Sequence, residues 1–323
     1  MLFLKISGGF LLFIALLLLG LRIRGKSPQR FEGAPPELSC WMQKIRDDAL
    51  LRQTAIPGSH DAGTRGLIWA GETQTYTVTQ QLLSGSRYFD LRVHKKGEEY
   101  RIFHSILDGI AFSQVLTEIK DFLLSHPSEI LLLDFQHFKD SQDKVKQMLW
   151  QELGTQELLV VNRTGLSPVE FIRRLTVGEA RGKCVIFWGD RSETGSDFLF
   201  LRNDNECTFD GMCMDSYFYG PYHKRDTACL LEKAHPLYFQ HLEALRQREQ
   251  NAAFVLQCQL TDGLVVRGPW QRNKNHDPMA SSYIRALKDS PYLPDINVVM
   301  RDFITPEKCR DIIELNKCKG IMT

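Results

Sequence analysis

Apolar segments of strand length alternate with amphipathic segments of helical length along most of this 323-residue chain. The run Ile130–Leu133 is continuously apolar, as in a buried strand, whereas Phe112–Ser125 places its apolar residues at helical spacing. Strands that alternate with helices in this way form parallel sheets. Eight strands are predicted, centred near residues 55, 90, 102, 132, 186, 213, 256 and 299. The pattern predicts an α/β fold, a TIM-type (β/α) barrel, with irregular or short connections after its second and third strands.

The first 25 residues differ in composition from the rest of the chain. Met1–Leu21 is apolar except for one lysine, one serine and the glycines, and roughly 20 such residues suffice to cross a bilayer. Residues 1–25 are therefore predicted to be a signal peptide or a membrane anchor, and the lack of a good small-residue cleavage site favours the anchor. Residues 26–37 are rich in proline, glycine and charge, which is typical of a linker. Residues 38–323 are then expected to form a single barrel domain.

The sequence contains conflicting indications of the cellular compartment. A basic flank follows the apolar segment and favours the cytoplasmic face of a membrane. Its members are Arg22, Arg24, Lys26 and Arg30. The eight cysteines instead permit disulfides, with Cys207/Cys213 and Cys309/Cys318 close enough in sequence to pair, and Asn162-Arg163-Thr164 is a glycosylation sequon. On balance we predict the secretory pathway, with the protein membrane-anchored or secreted, and keep the cytoplasmic face of a membrane as the alternative.

Overall charge and composition limit the partners that the chain is expected to have. A formal net charge of +1 gives no argument for binding nucleic acid. A hydrophobic share of 43% is sufficient for a sizeable core. We expect a monomer with no nucleic-acid partner.

Polar residues fall where the predicted strands end. The C-terminal ends of the strands in a β/α barrel meet at one mouth, where functional groups gather. Two histidines with opposite protonation states can act as general base and general acid in one reaction, and carboxylates can hold their tautomers. An arginine binds a phosphate through its planar fork. Such a set suits phosphoryl transfer to an internal hydroxyl. Its members are His60, Asp90, Arg92, His104, Asp134, Asp215 and Asp302.

Short segments around these residues closely resemble the X-box of phosphatidylinositol-specific phospholipases C. They are Ile56–Asp61, then Arg87–Arg92, and then Phe103-His104. Looser similarity to the bacterial-type enzymes extends the resemblance over roughly residues 38 to 320. The resemblance implies an incompletely closed or distorted barrel that cleaves phosphatidylinositol, or a glycosylphosphatidylinositol, between diacylglycerol and the inositol phosphate. In that family the inositol 2-hydroxyl attacks phosphorus and gives a cyclic inositol phosphate.

The resemblance also implies a catalytic role for each matching residue. His60 corresponds to the general base, and His104 to the general acid that protonates the departing diacylglycerol oxygen. Arg92 corresponds to the residue that holds the phosphate. Carboxylates support these groups: Asp302 orients His60, Asp61 supports His104, and Asp90 lies beside Arg92.

Substrate-binding candidates follow from the same resemblance. Asp215 and Tyr217 correspond to residues that hydrogen-bond to and stack on the inositol ring. The bacterial-type enzymes carry a lysine near the position of Gln136, which makes Gln136 a candidate for contact with the head group. Asp134 is either a site residue or a carboxylate hydrogen-bonded in the barrel floor.

The second strand also bears on whether the site needs a metal ion. Calcium-dependent relatives carry acidic ligands after the first histidine and along this strand, because a hard cation needs several oxygens. Here the sequence Asp90-Leu91-Arg92 puts a fixed positive charge in the place of the metal. We therefore expect a calcium-independent enzyme with no metal and no other cofactor.

Membrane contact and two other functions remain open. Trp270 lies in a polar stretch after the seventh strand, where it either inserts at the level of the lipid head groups or covers the edge of the core. A catalytically weak or dead lipid-binding X domain is one alternative function, because Gln136 stands near the position where the bacterial-type enzymes carry a lysine. A phosphodiesterase of the glycerophosphodiester or sphingomyelinase D type is the other, but it needs an acidic magnesium cluster where Arg92 stands.

Overall fold

The computed structural model describes residues 27–138, 142–190, 196–204, 212–216, 226–247, 253–260 and 268–323. The predicted signal peptide or anchor at residues 1–25, Cys207 and Tyr217 lie outside these described residues.

Eight parallel strands close into a barrel, which confirms the predicted fold class. The strands of the described chain are β1 (Ile56–Ser59), β2 (Tyr88–Leu91), β3 (Val93–Lys96), β4 (Glu99–His104), β5 (Leu107–Ala111), β6 (Leu131–Phe135), β7 (Cys184–Trp188), β8 (Leu199–Asp204), β9 (Met214–Ser216), β10 (Ala253–Gln257) and β11 (Val298–Arg301). The ring runs β1-β11-β10-β9-β8-β7-β6-β2 and returns to β1. The resemblance implied a distorted or incompletely closed barrel; the ring is closed, with β1 and β2 joined through Gly58–Tyr88 and Ser59–Phe89.

One predicted barrel strand lies elsewhere. The segment near residue 102 is β4, which pairs antiparallel with β3 and β5 in a separate three-stranded sheet. Only Gly97 and Glu98 separate β3 from β4, and so short a connection joins antiparallel neighbours, not parallel ones. Its place in the ring is taken by β8, which pairs with β7 and β9 and which the sequence pattern did not predict.

Helices surround the barrel and connect many of its strands. They are α1 (Pro36–Ser39), α2 (Val78–Leu83), α3 (Phe112–Ser125), α4 (Asp143–Glu152), α5 (Pro168–Arg174), α6 (Val177–Ala180), α7 (His235–Gln247), α8 (Pro269–Ala286), α9 (Pro306–Ile313) and α10 (Leu315–Cys318), with a π-helical segment at Cys229–Ala234. Side-chain caps fix several starts: the hydroxyl of Thr77 accepts from the Gln80 N–H at α2, and Thr305 caps α9 in the same way.

Successive strand residues point to two different apolar layers. Leu132 and Met300 belong to the cluster that fills the barrel, whereas their neighbours Leu133 and Val299 pack beneath the surrounding helices. The strands are therefore buried on both faces, as is usual for parallel sheets covered by helices. This alternation decides which polar side chains at a strand end reach the mouth.

Two findings bear on the predicted leader and disulfides. Within the described ranges, none of the helices is both long enough and apolar enough to span a bilayer. Cys309 and Cys318 are both free thiols, the first buried and the second exposed, so they do not pair. Cys213 is also a free thiol, and its possible partner Cys207 is outside the described residues.

Candidate functional site

The site is built at the C-terminal end of β1, where the chain leaves the barrel. His60 is nearly buried, and its Nδ1 lies 2.7 Å from Oδ1 of Asp302 at the end of β11. Its Nε2 lies 3.3 Å from Oδ2 of Asp61 and 3.8 Å from Oδ2 of Asp90. Burial lowers the pKa of His60, but the surrounding carboxylates outweigh it, Asp61 and Asp302 most strongly, and raise that pKa to about 9. The imidazole is thus held in one orientation by carboxylates that stabilise its charged form.

Asp61 is the residue on which the other charged groups converge. Its Oδ1 lies 2.9 Å from Nε of Arg92, and its Oδ2 contacts both His60 and His104. Burial raises the pKa of the Asp61 carboxyl, but Arg92 and the two histidines lower it to about 2. The carboxylate therefore stays ionised and holds the guanidinium beside both rings.

The backbone at Asp61 has a strained conformation. Its φ of 44° lies in the left-handed region, which non-glycine residues seldom adopt. Hydroxyls fix this conformation, because Thr64 and Thr73 both donate to the Asp61 carbonyl. The amide of Gln74 donates to the His60 carbonyl at 3.0 Å and to that of Arg301 at 3.1 Å, which ties the loop to β11.

His104 reaches the site from the antiparallel sheet, not from a barrel strand. It is the last residue of β4. Its Nδ1 lies 2.9 Å from the Gly71 carbonyl, which leaves Nε2 facing Asp61 Oδ2 at 3.5 Å. Since the Nε2 atoms of both histidines contact the same carboxylate oxygen, the two rings lie within reach of a single phosphodiester.

Asp302 has a partner that sequence reasoning missed. Asn273 of α8 is fully buried, and its amide donates to Asp302 Oδ2 at 2.7 Å and to the Pro269 carbonyl at 2.9 Å. Its carbonyl oxygen accepts from the Leu260 N–H at 3.0 Å. Asn273 therefore fixes the carboxylate that orients His60.

A second polar cluster fills the barrel beneath the mouth. Asp134 accepts hydrogen bonds from Tyr88 and from Gln136, and its Oδ1 lies 2.7 Å from Nε of Arg202. Burial raises the pKa of Asp134 to about 6; Arg202 opposes the effect and Asp90 adds to it. The structure thus places Gln136 and Asp134 together inside the barrel, with Arg202 supplying a positive charge that the sequence pattern did not indicate.

Two candidates are not brought to the mouth. Asp215 follows Met214, which faces the barrel interior, so its own side chain points outward, and its Oδ2 lies 3.3 Å from Nε2 of His241 on α7. Trp270 is in the first turn of α8, half-buried, with its ring edge-on to Phe303 at 5.4 Å. This arrangement agrees with its core-covering alternative, and membrane contact by Trp270 stays a prediction.

His60, Asp61 and Asp90 are the described residues whose side-chain atoms lie close enough together to hold a metal ion. Two of these carboxylates already contact an arginine, however: Arg92 Nε lies 2.9 Å from Asp61 Oδ1, and Arg92 Nη2 lies 3.6 Å from Asp90 Oδ2. A cation entering here would have to displace or face a fixed guanidinium. The guanidinium of Arg92 therefore already contacts the carboxylates that a cation would need as ligands.

Comparison with known families and proteins matches the part of the chain that carries this site. Residues 48–188 match the family described as phosphatidylinositol-specific phospholipase C, X domain. A 120-residue segment is 46% identical to human PI-PLC X domain-containing protein 2 and covers 36% of this chain and 38% of that protein. A 116-residue segment is 30% identical to 1-phosphatidylinositol phosphodiesterase of Staphylococcus aureus, covering 32% and 36% of the two chains. The matches span less than two fifths of the length of these relatives.

Solved structures resemble the chain over a longer range. A phosphatidylinositol-specific phospholipase C from Listeria monocytogenes superposes with a TM-score of 0.67 at 19% identity, covering 86% of this chain and 98% of that one. A Staphylococcus aureus phosphatidylinositol-specific phospholipase C gives 0.62 at 16% identity, with 87% and 99% covered. At such identities the likeness is one of fold.

Proposed function

We propose that this chain, whose residues 48–188 match the X domain of the phosphatidylinositol-specific phospholipase C family, is a metal-independent phosphodiesterase acting on phosphatidylinositol or a glycosylphosphatidylinositol. The single observation that carries the proposal is the convergence of His60, His104 and Arg92 on the carboxylate of Asp61. The fold and the relatives support the phosphodiesterase class, and this convergence supports the reaction.

The proposed reaction is an internal phosphoryl transfer. Neutral His60 takes the proton of the inositol 2-hydroxyl, whose oxygen forms a new bond to phosphorus. His104 gives a proton to the diacylglycerol oxygen as its bond to phosphorus breaks. Arg92 stabilises the charge that develops on the non-bridging oxygens. Diacylglycerol and a cyclic inositol phosphate are the products.

The surrounding groups have positioning roles in this proposal. Asp302 holds the His60 ring through Nδ1, as the acidic member of a catalytic triad does. The Gly71 carbonyl contacts Nδ1 of His104, which directs Nε2 of that ring toward the leaving oxygen. Gln136, Asp134 and Arg202 line the barrel below and are proposed to contact the inositol hydroxyls.

Product analysis in the presence of a chelator tests this proposal. The full chain is incubated with phosphatidylinositol, and separately with a glycosylphosphatidylinositol, in excess EDTA, and phosphorus NMR follows the products. We expect a cyclic phosphate signal and diacylglycerol, and loss of both in His60→Ala and His104→Ala. His126→Ala is the matched control, because His126 stacks on Phe122 at the end of α3, away from the mouth. Turnover that appears only after calcium or magnesium is added would refute the metal-free reaction.

A further inference from the structure

We propose that Lys308 and Asp277 are positioning residues for the proposed reaction, because they hold the backbone of Asp302 while its carboxylate orients His60. Both act through Asp302, and neither is placed in contact with substrate. The inference rests on the proposed function and deepens it, since it concerns how the proposed general base is kept in its working orientation.

The turn that follows β11 has a strained backbone. Phe303, directly after Asp302, has a φ of 49°, in the left-handed region that a bulky residue seldom adopts. Such a conformation costs about 1–3 kcal/mol and persists only where surrounding contacts fix it. The peptide between Asp302 and Phe303 is held at both ends. Its N–H donates to the Thr73 carbonyl at 2.8 Å, and its carbonyl accepts from Nζ of Lys308 at 2.9 Å.

Lys308 lies where its own helix does not favour a lysine. Thr305 caps α9 by accepting from the Lys308 N–H at 3.1 Å, which puts Lys308 in the first turn. A cation there faces the positive end of the helix dipole. The residue is also only 8% exposed, and burial lowers its pKa to about 8 although Asp277 opposes this effect. A local preference that is broken beside a strained turn indicates a role outside the helix.

Asp277 of α8 holds Lys308 in place. Its Oδ2 lies 2.6 Å from Nζ of Lys308, and its Oδ1 accepts from Nη2 of Arg301 at 2.9 Å. Arg301 is fully buried and directly precedes Asp302, so Asp277 is tied to the chain on both sides of Asp302. Burial raises the pKa of Asp277, but Lys308 and Arg301 outweigh it and lower that pKa. The pair of Lys308 and Asp277 is therefore charged at neutral pH.

One face of α8 contacts three successive residues of this turn. Trp270, Asn273 and Asp277 are spaced by three and four residues, so they lie along one face of the helix. Their contacts pair them in order with the turn: Trp270 with Phe303, Asn273 with Asp302, and Asp277 with Arg301. The face of α8 therefore fixes the side chains of the turn, and Lys308 adds the bond to its backbone.

Proton NMR at pH 6.5 tests the inference without any substrate. His60 and Lys308 are both charged at this pH. The N–H at Nδ1 of His60, 2.7 Å from a carboxylate oxygen, should give a separate signal far downfield, and its loss in Asp302→Asn identifies it. We expect Lys308→Met to move this signal upfield or to broaden it by exchange with water, because Asp302 is then free to turn from the ring. An unchanged signal in Lys308→Met would overturn the inference.

Lys319→Met is the matched control. Its Nζ donates to the Gln53 carbonyl at 2.6 Å and to the Ile296 carbonyl, which precede β1 and β11. Lys319 therefore bonds the backbone at the opposite ends of the two strands that lead to the site. Both variants should be less stable to urea, but Lys319→Met should keep the downfield signal in place. A change as large as in Lys308→Met would assign the effect to lost stability and refute the positioning role.

Asp277→Asn decides the question if Lys308→Met does not fold. The amide keeps the shape of the side chain and an acceptor for Arg301, but it removes the charge that places Lys308. We expect the same change in the His60 signal, smaller in size. A signal that stays at its wild-type position in Asp277→Asn would contradict the inference.

Turnover separates this inference from the proposed function. On short-chain phosphatidylinositol dissolved as monomers, Lys308→Met should lower kcat about tenfold or more and change KM by less than about threefold. In an Asp302→Asn background the same substitution should change kcat by less than about twofold, because both changes act on one contact. Losses that multiply in the double variant would show that Lys308 does not act through Asp302. If the protein hydrolyses no lipid, the proposed function fails, and the NMR result still decides the positioning role.

Discussion

At the scale of single residues, the raised pKa of His60 determines the pH at which it can act as the proposed general base. A general base must be neutral when it takes a proton, but Asp61 and Asp302 raise the pKa of His60 from 6.5 to about 9. The same carboxylates that orient the ring therefore keep the unliganded site protonated at neutral pH. This cost is offset once the reaction begins, because the imidazolium that forms is stabilised.

We expect kcat/KM to rise with pH through an apparent pKa near 9 in the wild-type protein. Asp302→Asn removes one of the carboxylates that raise the His60 pKa, so the acid limb should move toward lower pH. The rate at its plateau should fall by about 10²- to 10⁴-fold, since the ring loses its orienting partner. The pH profile of both proteins on monomeric substrate is the measurement. An acid limb that does not move would mean that another group controls it.

Asn273 positions Asp302, so its replacement should reproduce part of the shift in the acid limb that is expected for Asp302→Asn. Asn273→Ala frees Asp302 Oδ2 and removes the side-chain hydrogen bonds to the Pro269 carbonyl and the Leu260 N–H, which should cost about 1–3 kcal/mol of unfolding free energy. If Asp302 moves from His60, the acid limb of kcat/KM should shift to lower pH. The shift is measured on monomeric substrate and the stability by urea unfolding.

Asn297 provides the control for Asn273. It is equally buried and bonds the carbonyls of Leu51 and Thr54 and the Phe254 N–H, near the starts of β1 and β10. Asn297→Ala should lose similar stability while the pH profile stays in place. A shifted profile in both variants would show that lost stability, not the position of Asp302, changes the titration.

At the scale of elements, strand alternation separates the carboxylates that serve the mouth from those that do not. Asp90 and Asp134 share the inward face of β2 and β6, directly across a register pair. Asp215 takes the outward face of β9, opposite Phe254, which packs beneath α7. A carboxylate that faces His241 can stabilise a helix against the barrel, and this direction predicts that Asp215 does not contact a substrate in the mouth.

Asp215→Asn and Asp90→Asn should therefore behave differently. We expect Asp215→Asn to keep turnover within about twofold while losing about 1–3 kcal/mol of stability from its contact with His241. Asp90→Asn should lose turnover by about 10²-fold or more, because Asp90 lies beside both His60 and Arg92. Steady-state rates and urea unfolding of both variants decide this. A loss of turnover in Asp215→Asn comparable to that in Asp90→Asn would place residue 215 in the site after all.

These elements also show how far a sequence can be interpreted. The barrel class was predictable, because buried parallel strands are apolar runs between helices. The inward or outward direction of Asp215 was not, because both strand faces are buried and no polar alternation marks the interior. The antiparallel direction of β4 carried a signal in the two-residue link Gly97-Glu98. Asn273 carried none: it is one polar residue in a polar helix, brought to Asp302 only by packing.

At the scale of the whole molecule, two buried histidines in the helices around the barrel make the stability of the fold depend on pH. His235 is the first residue of α7, and its Nε2 lies 2.9 Å from the Gln257 carbonyl. His276 lies in α8, and its Nε2 lies 3.2 Å from the Cys258 carbonyl. Burial is the main cause that lowers the pKa of each from 6.5 to about 4. Both rings are therefore neutral in the folded protein over a range of pH in which the unfolded chain protonates them.

The last prediction concerns stability in acid. A depressed histidine pKa leaves the free energy of unfolding unchanged above pH 6.5 and lowers it as the pH falls toward 4, because the unfolded chain then binds more protons. One pKa unit corresponds to about 1.36 kcal/mol, so each residue lowers the stability by up to about 3 kcal/mol once the pH reaches 4. Urea unfolding at pH 7 and pH 5 should show a large loss in wild type. His235→Gln/His276→Gln should be less stable at pH 7 but lose less between the two pH values. A double variant with the wild-type loss would assign the acid sensitivity to the carboxylates of the mouth instead.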